Sequence, residues 1–459
     1  MLSSANLLQT IFDRSPRLVK RAMINLEAIR RDRFRRYGDY AAELRFYDPA
    51  WYASASELQE TFQLQRLNDL LHSAKTHVPY YRDTLPTIEL NSLGDLRTIP
   101  ILEKKEIHAA PLSFVDERLS KKDLYLCSTS GSTGTPLCYF HDRTITRAHQ
   151  AVADSLLAFF GCGFGGRRAR FSSVMVTASD QTSPPYWIYI DWYRQLQCST
   201  YHLSPRTCKD YLEALKRSKV TYGTGYTTAW HLLAGYTHDS GESPPPLKAI
   251  FTDSEGITLE QQALVEKVFS CPVFQTYGTG EVGQVVMQCS NKRYHILTRA
   301  CVAEVLDEND QPVLPGQTGR VVITDLTGLH TPFIRYSTGD LATPSADTCD
   351  CGWNTPIWSE IVGRIEDWIQ LPDGRRISRL DHISRVGIGI LESQIAQTAP
   401  DSIEIRVVPT NQFDAESMGA VLDTAQRFLG FSMKVSWRLV DKLPRTRSGK
   451  LKYVIRETD

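Results

Sequence analysis

The chain has 459 residues, more than one hydrophobic core usually supports, so two or three folding units are expected. Lys+Arg and Asp+Glu both number 52, and this balance gives no global field toward nucleic acid or acidic membranes; partners must be argued from local sites. No apolar run is long enough to span a bilayer, Asp13 and Arg14 interrupt the first segment before a signal core develops, and the 10 cysteines lie mostly in apolar runs as reduced core thiols do, so a cytoplasmic protein is expected.

Residues 1–62 have helical periodicity, with a basic segment from Arg14 to Arg36 in which Leu, Met and Ile recur at helix spacing. This predicts an amphipathic helical extension. Its basic face suits either an anionic surface or plain solvation, and no function is assigned to it. From Leu64 a helix runs to Pro79, and IPILEKKEIH opens the next after an extended step before proline. Strand-like and helix-like segments then alternate: LYLCSTS, a helix from Ile145 to Phe160, ARFSSVMV, a helix after Pro205, VTYGTG, a helix from Thr227, and LKAIFTDSE. Such alternation predicts βαβ units in mixed or parallel sheets. Between His295 and Thr338 short strands joined by turns suggest a β-rich subdomain, and an α+β segment runs from Gly363 to the end. The expected fold is therefore multidomain α/β: the extension (1–62), a large domain of mixed sheets packed with helices plus the β-rich subdomain (63–362), and a small α+β domain (363–459).

LYLCSTSGSTGTP sets a strand directly before Ser128, Thr129, Ser130, Gly131, Ser132, Thr133 and Gly134. The glycines let consecutive backbone N–H groups converge on phosphate oxygens and the hydroxyls add donors; a flexible surface turn is the alternative. The Gly-Lys-Ser/Thr ending of a Walker loop is missing, which disfavours a P-loop NTPase.

TSGSTGTP resembles the phosphate-binding loop of the adenylate-forming superfamily of acyl-CoA synthetases and related ligases, and other segments follow that family's order. FTDSEG resembles its adenine-contacting segment, placing Ser254, Glu255 and Gly256 along the purine. In FQTYGTGEVG the resemblance implies that Tyr277 stacks on adenine, Gly278 and Thr279 approach the phosphates, and Glu281 holds Mg²⁺ against ATP. RYSTGD supplies Asp340, whose two oxygens would match the ribose hydroxyls. GRIEDWIQLPDGRR resembles the interdomain hinge, with Arg364 at the nucleotide and Glu366 at the pivot of a mobile C-terminal lid. LPRTRSGKLKYV matches the lid loop, whose Lys450 would bridge the acyl carboxylate and the α-phosphate; such preorganised charge is worth about 10²–10³ in rate. Thr135 stands where the family commonly has Lys, and Gly280 where it commonly has Thr.

LNDLLHSAKTHVPYYR, IPILEKKEI, YGTGEVGQVVMQC and GRIEDWIQLPDGRRI together resemble the phenylacetate-CoA ligase branch and its CapK-like members, from about Leu64 to the end. The implied activity is ATP-dependent activation of a carboxylic acid to acyl-AMP, with pyrophosphate released and the acyl group passed to CoA or an amine. AMP transfer to a non-carboxylate acceptor or cofactor, or nucleotide binding without catalysis, are the alternatives. An aromatic or hydrophobic acid would suit Trp187, Tyr222, Gly223, Gly225 and Tyr226, side chains that serve core packing equally well. No nucleic-acid partner is expected, and oligomeric state stays open, a homodimer included. Cys289 and His295 on one polar turn, with Cys349 and Cys351 on another, could close a tetrahedral structural Zn²⁺ site; unpaired thiols or a redox-labile Cys349/Cys351 pair are the alternatives.

Overall fold

A computed structural model describes residues 15–457 apart from 88, 129–136, 173, 175, 178–180, 201, 255, 258, 365–367, 373–375, 379, 381–382, 385–386, 389, 410–412, 431, 442 and 445–452. Helices of ten residues or more are numbered α1 to α7. No helix among the described residues is long and apolar enough to cross a membrane.

The basic segment forms α1 (Arg17–Arg35), and it lies against the main body. Arg21 Nε donates to Asp191 at 2.9 Å and the Tyr193 hydroxyl donates to the Ala28 carbonyl at 3.0 Å. Just past the helix, Arg36 pairs with Asp32 and Asp154, and all three side chains are nearly shielded from water. Removing one member of such a buried group strands a charge, at a cost of about 3–5 kcal/mol, so α1 is pinned where it lies. In α2 (Ser56–His77), Leu67, Leu70, Leu71 and Ala74 recur at helical spacing and are buried. Each such leucine contributes about 1.5–3 kcal/mol.

Strands β1 (Leu124–Ser128) and β2 (Cys138–Asp142) pair antiparallel with Ser128 opposite Cys138. Helix α3 (Arg143–Phe159) starts two residues before the sequence reading put it. The reason is a cap: the Asp142 carboxylate accepts from the backbone N–H groups of Thr144 and Ile145.

A 12-stranded sheet organises the rest of the large domain. In chain order its members are β3 (Arg168–Ser172), β4 (Trp187–Ile190), β5 (Gln195–Ser199), β6 (Tyr222–Tyr226), β7 (Ile250–Asp253), β8 (Val273–Thr279), β9 (Gly283–Gln288), β10 (Tyr294–Ile296), β11 (Cys301–Leu306), β12 (Gly319–Asp325), β13 (Tyr336–Ser345) and β14 (Ile357–Arg364). Across the sheet the order is β11-β12-β13-β14-β10-β9-β8-β7-β6-β3-β5-β4. Strands β5, β3, β6, β7 and β8 run parallel, joined in sequence by α4 (Cys208–Arg217), α5 (Thr227–Ser240) and α6 (Leu259–Phe269) as βαβ crossovers require. Trp230, Tyr211, Leu233 and Phe269 form a core on this half, and Leu67, Leu70, Val285, Ile323 and Tyr336 a second on the antiparallel half.

The strands between His295 and Thr338 do not form a sheet of their own. Residues 273–275 of β8 pair in parallel with β7, while residues 276–279 pair antiparallel with β9, so one strand welds the two halves together. The C-terminal part has its own four-stranded sheet, β17 (Ile390–Ala399), β18 (Ser402–Pro409), β19 (Lys434–Leu439) and β20 (Val454–Arg456), after a small hairpin of β15 (Trp368–Gln370) and β16 (Arg376–Ser378). Helix α7 (Met418–Leu429) covers that sheet, and Ile395, Ile405, Val407 and Val421 form a separate core.

Candidate active site

The parallel strands β6, β7 and β8 bring three of the expected segments to one edge. Tyr226 lies in register with Asp253, and Thr252 with Gln275. Tyr226, Ser254 and the Tyr277–Thr279 segment therefore emerge together at the carboxyl ends, where open α/β sheets bind ligands. Ser254 has φ +65, a left-handed backbone unusual outside glycine, and its hydroxyl donates to Asp253 at 2.9 Å. The other Asp253 oxygen accepts from Arg170, also at 2.9 Å. At Gly225 the chain passes so close to β3 that a Cβ would stand 1.9 Å from the Phe171 carbonyl oxygen.

Glu281 sits in the three-residue turn joining β8 and β9, closed by the Thr279–Gly283 pair. Gly283 has φ +68, and a Cβ there would meet the His149 ring at 2.6 Å, so both conformation and space call for glycine. The Glu281 side chain is buried, and its Oε1 accepts from the Tyr336 hydroxyl at 2.7 Å. His141 Nε2 lies 3.0 Å from the Glu281 carbonyl oxygen. Burial, then the neighbouring His149, lowers the His141 pKa to about 3, so its neutral ring donates from Nε2–H. Strand alternation puts Tyr336, Thr338 and Asp340 on one face of β13. Asp340 is buried and accepts from the Tyr277 hydroxyl at 2.9 Å; that hydroxyl also lies 3.3 Å from Thr338 Oγ1. Two tyrosine hydroxyls thus orient two carboxylates on adjoining elements.

A cavity of about 470 Å³ opens on the Glu281 side of this group. Ser128, the first residue of the expected phosphate loop, and Gly280, next to Glu281, both line it, together with Tyr139 and His141. Arg30, Arg31 and Arg35 of α1 form another part of its wall.

Thr129, Ser130, Gly131, Ser132, Thr133, Gly134, Glu255, Glu366 and Lys450 lie outside the described residues. Arg364 ends β14 with its backbone in register with Asp340. Of the residues expected around the acid, Gly225 and Tyr226 reach the carboxyl edge. Tyr222 is at the amino end of the five-residue strand β6, packed with Ala249, Phe251 and Phe274 and away from the carboxyl edge. Trp187 is buried on the outermost strand against Tyr211, ring centroids 5.7 Å apart, and Gly223 is the floor under Trp230.

The Cys and His turns meet. One ligand atom each of Cys289, His295, Cys349 and Cys351 falls within a group no wider than 4.8 Å. The Cys289 and Cys349 sulfurs are 3.7 Å apart, and Cys351 Sγ is 3.4 Å from His295 Nε2. His295 Nδ1 is engaged by Thr355 Oγ1 at 3.0 Å, which turns Nε2 toward the sulfurs, and burial lowers the His295 pKa to about 4, leaving the ring neutral. The Trp353 N–H points at Cys351 Sγ at 3.4 Å.

The sequence reading passed over His141, Tyr336 and the His149–Asp325 pair, 2.9 Å apart. Tyr336 had a signal: it stands four residues before Asp340 in a strand, hence on the same face. His141 had none, since its contact with Glu281 spans 140 residues.

Comparison with known proteins agrees with this architecture. The family model described as AMP-binding enzyme matches residues 62–326, more than half of the chain, and the protein belongs to that adenylate-forming family. A second match, the CapK C-terminal domain, covers residues 370–457 and gives the branch. Protein CapK of Staphylococcus aureus is 24% identical over 414 residues, 87% of this chain and 90% of that protein. A phenylacetate-coenzyme A ligase of Thermus thermophilus is 33% identical over 98 residues, 20% of this chain and 22% of the ligase. Among solved structures, 2-hydroxyisobutyryl-CoA ligase in the postadenylation state with R3-HIB-AMP superposes with a TM-score of 0.64 at 20% identity, covering 88% of this chain and 91% of the ligase, a likeness of fold.

Proposed function

We propose that this protein uses ATP to activate a carboxylic acid as acyl-AMP, releasing pyrophosphate, and then passes the acyl group to CoA or an amine. The observation that carries this reading is the pair of tyrosine-held carboxylates, Glu281 and Asp340, on adjoining elements, with Glu281 next to a cavity that reaches the root of the β1–β2 loop. Asp340 would receive the ribose hydroxyls, displacing the Tyr277 hydroxyl, which frees that ring to lie along the purine. Glu281 fits a Mg²⁺ ion, because the Tyr336 bond leaves its second oxygen available to a hard cation. When bound, Mg²⁺ would screen the polyphosphate. The protein's own part is then position and charge: aligning the acid for in-line attack at the α-phosphate, with Lys450 supplied from the lid, needs no covalent enzyme intermediate. For the acid, Gly225 and Tyr226 at the carboxyl edge are the favoured contacts, with an aromatic or hydrophobic acid the class they suit.

A structural Zn²⁺ at Cys289, His295, Cys349 and Cys351 belongs to the same reading. The spacing of the ligand atoms suits a tetrahedral ion held by soft donors, and the Thr355 bond to His295 orients its other nitrogen. Metal analysis of protein purified without chelator should give about one zinc per chain.

The test of function is acid-dependent exchange of labelled pyrophosphate into ATP across aryl, fatty and amino acids, with Asp340→Ala and Lys450→Ala as controls. Exchange with at least one acid, lost in the first variant and severely slowed in the second, is the expected result. ATP binding without exchange for any acid would refute it, and a stably adenylylated non-carboxylate product would point to AMP transfer.

A further inference from the structure

The basic helix that the sequence left without a role is one wall of the cavity beside the candidate active site. Arg30, Arg31, Phe34 and Arg35 fall at helical spacing on one face of α1, and that face lines the same cavity as Ser128 and Gly280. The helix is fixed there by the Arg21–Asp191 pair and the buried Arg36 cluster, and by Phe34, whose ring meets Tyr125 at 5.6 Å with the Arg143 guanidinium 5.2 Å above it. A merely solvated helix face would need none of these anchors.

Charge on this wall is one-sided. Among the described residues, the charged side chains lining the cavity are the three arginines, with no carboxylate beside them. His141 is neutral, and His149 is engaged by Asp325. Arg30 and Arg31 share a single carboxylate, Glu27, each at 2.6 Å, while Arg35 has no ion-pair partner among the described residues. Three cations against one anion leave two positive charges facing about 470 Å³ of space. Guanidinium groups offer paired N–H donors matched to phosphate oxygens, and a polyphosphate compensates two positive charges better than a lone carboxylate does.

We propose that Arg30, Arg31 and Arg35 form a phosphate-binding subsite that receives the polyphosphate end of ATP and the departing pyrophosphate, or a phosphate carried by a co-substrate. In its first form the inference rests on the ATP-dependent reading above. The N-terminal helix is on this account part of the nucleotide site.

The test compares full-length wild type, Arg30→Ala/Arg35→Ala, Arg35→Glu and the control Arg33→Ala, an exposed arginine of the same helix that does not line the cavity. Pyrophosphate, ATP, AMP and inorganic phosphate are titrated calorimetrically at one low salt concentration, and circular dichroism checks that the helix is retained. The double variant should bind pyrophosphate and ATP about tenfold more weakly, Arg35→Glu more weakly still, with AMP affinity and Arg33→Ala unchanged. Weakened inorganic phosphate binding with ATP and pyrophosphate unaffected would support the co-substrate source instead. Unchanged affinity for all three phosphate probes overturns the subsite. Wild type that binds pyrophosphate but neither binds ATP nor exchanges with any acid would retain the subsite and sink the adenylation reading, so the two failures are distinguishable.

Discussion

Strand β9 has two differently built ends. Two residues before it lies Glu281, in a glycine-flanked turn beside an open cavity; one residue after it lies Cys289, gathered with two further sulfurs and an imidazole. Strand β14 repeats the arrangement, with Cys351 before its start and Arg364 at its end. Between the ends of β9, Val285, Val286 and Met287 are fully buried, so the strand is a rigid spacer of about 20 Å. The oxygen-bearing end suits hard cations and ligands that come and go, whereas sulfur and imidazole donors with no open position suit an ion that stays. On the proposed reading one end serves turnover and the other a resident ion, and they should fail in different ways.

The sharpest break is at the turnover end. Asp340→Ala should cut acid-dependent exchange by about 10²-fold or more while leaving zinc content and melting temperature near wild type; a matching loss of stability would show Asp340 to be structural. At the other end, Cys351→Ser should abolish zinc binding and lower stability by several kcal/mol, on the order of 3, with exchange at 20 °C kept within a few-fold. Loss of exchange in step with zinc would merge the two regions. A smaller change, Tyr336→Phe, removes one donor from Glu281 and should lower kcat/KM for MgATP about tenfold without altering zinc content.

The remaining effect is one of pH. His141 is held neutral with its pKa near 3, whereas an unfolded chain protonates this residue near 6.5, so the unfolded state binds the extra proton first. Stability should therefore be indifferent to this group above pH 6.5 and fall by about 1.4 kcal/mol per pH unit as pH drops from there toward 3. His141 faces His149, with Asp325 behind it, the Glu281 backbone and the Tyr139 and Phe333 rings. In denaturant melts between pH 7 and 5, His141→Gln should show a slope shallower by one proton; an unchanged slope contradicts the assignment.

What the sequence made legible was local. Tyr277, Thr279 and Glu281 lie within five residues of one motif, whereas strand β8 and its turn were not read from that stretch. The Cys and His turns were legible as chemistry because soft donors in two polar loops invite pairing. Contacts set by register across the sheet were hidden. Tyr336 reaches Glu281 only because β13 folds back beside the β8–β9 turn, and the continuity of the sheet depends on β8 changing partners at residue 276. Tyr222 and Tyr226 looked alike in sequence, but opposite ends of a parallel strand face core and edge. The basic face of α1 carried no hint of the cavity, since the residues across from it are about a hundred positions or more away in the chain.

The most direct measurement is labelled pyrophosphate exchange by wild type and Asp340→Ala, run side by side on zinc-replete protein with a broad panel of acids. Exchange that needs an acid and disappears with the Asp340 carboxylate is the outcome this account requires. Exchange that survives in Asp340→Ala, or wild type that binds ATP yet returns no label with any acid, would contradict it.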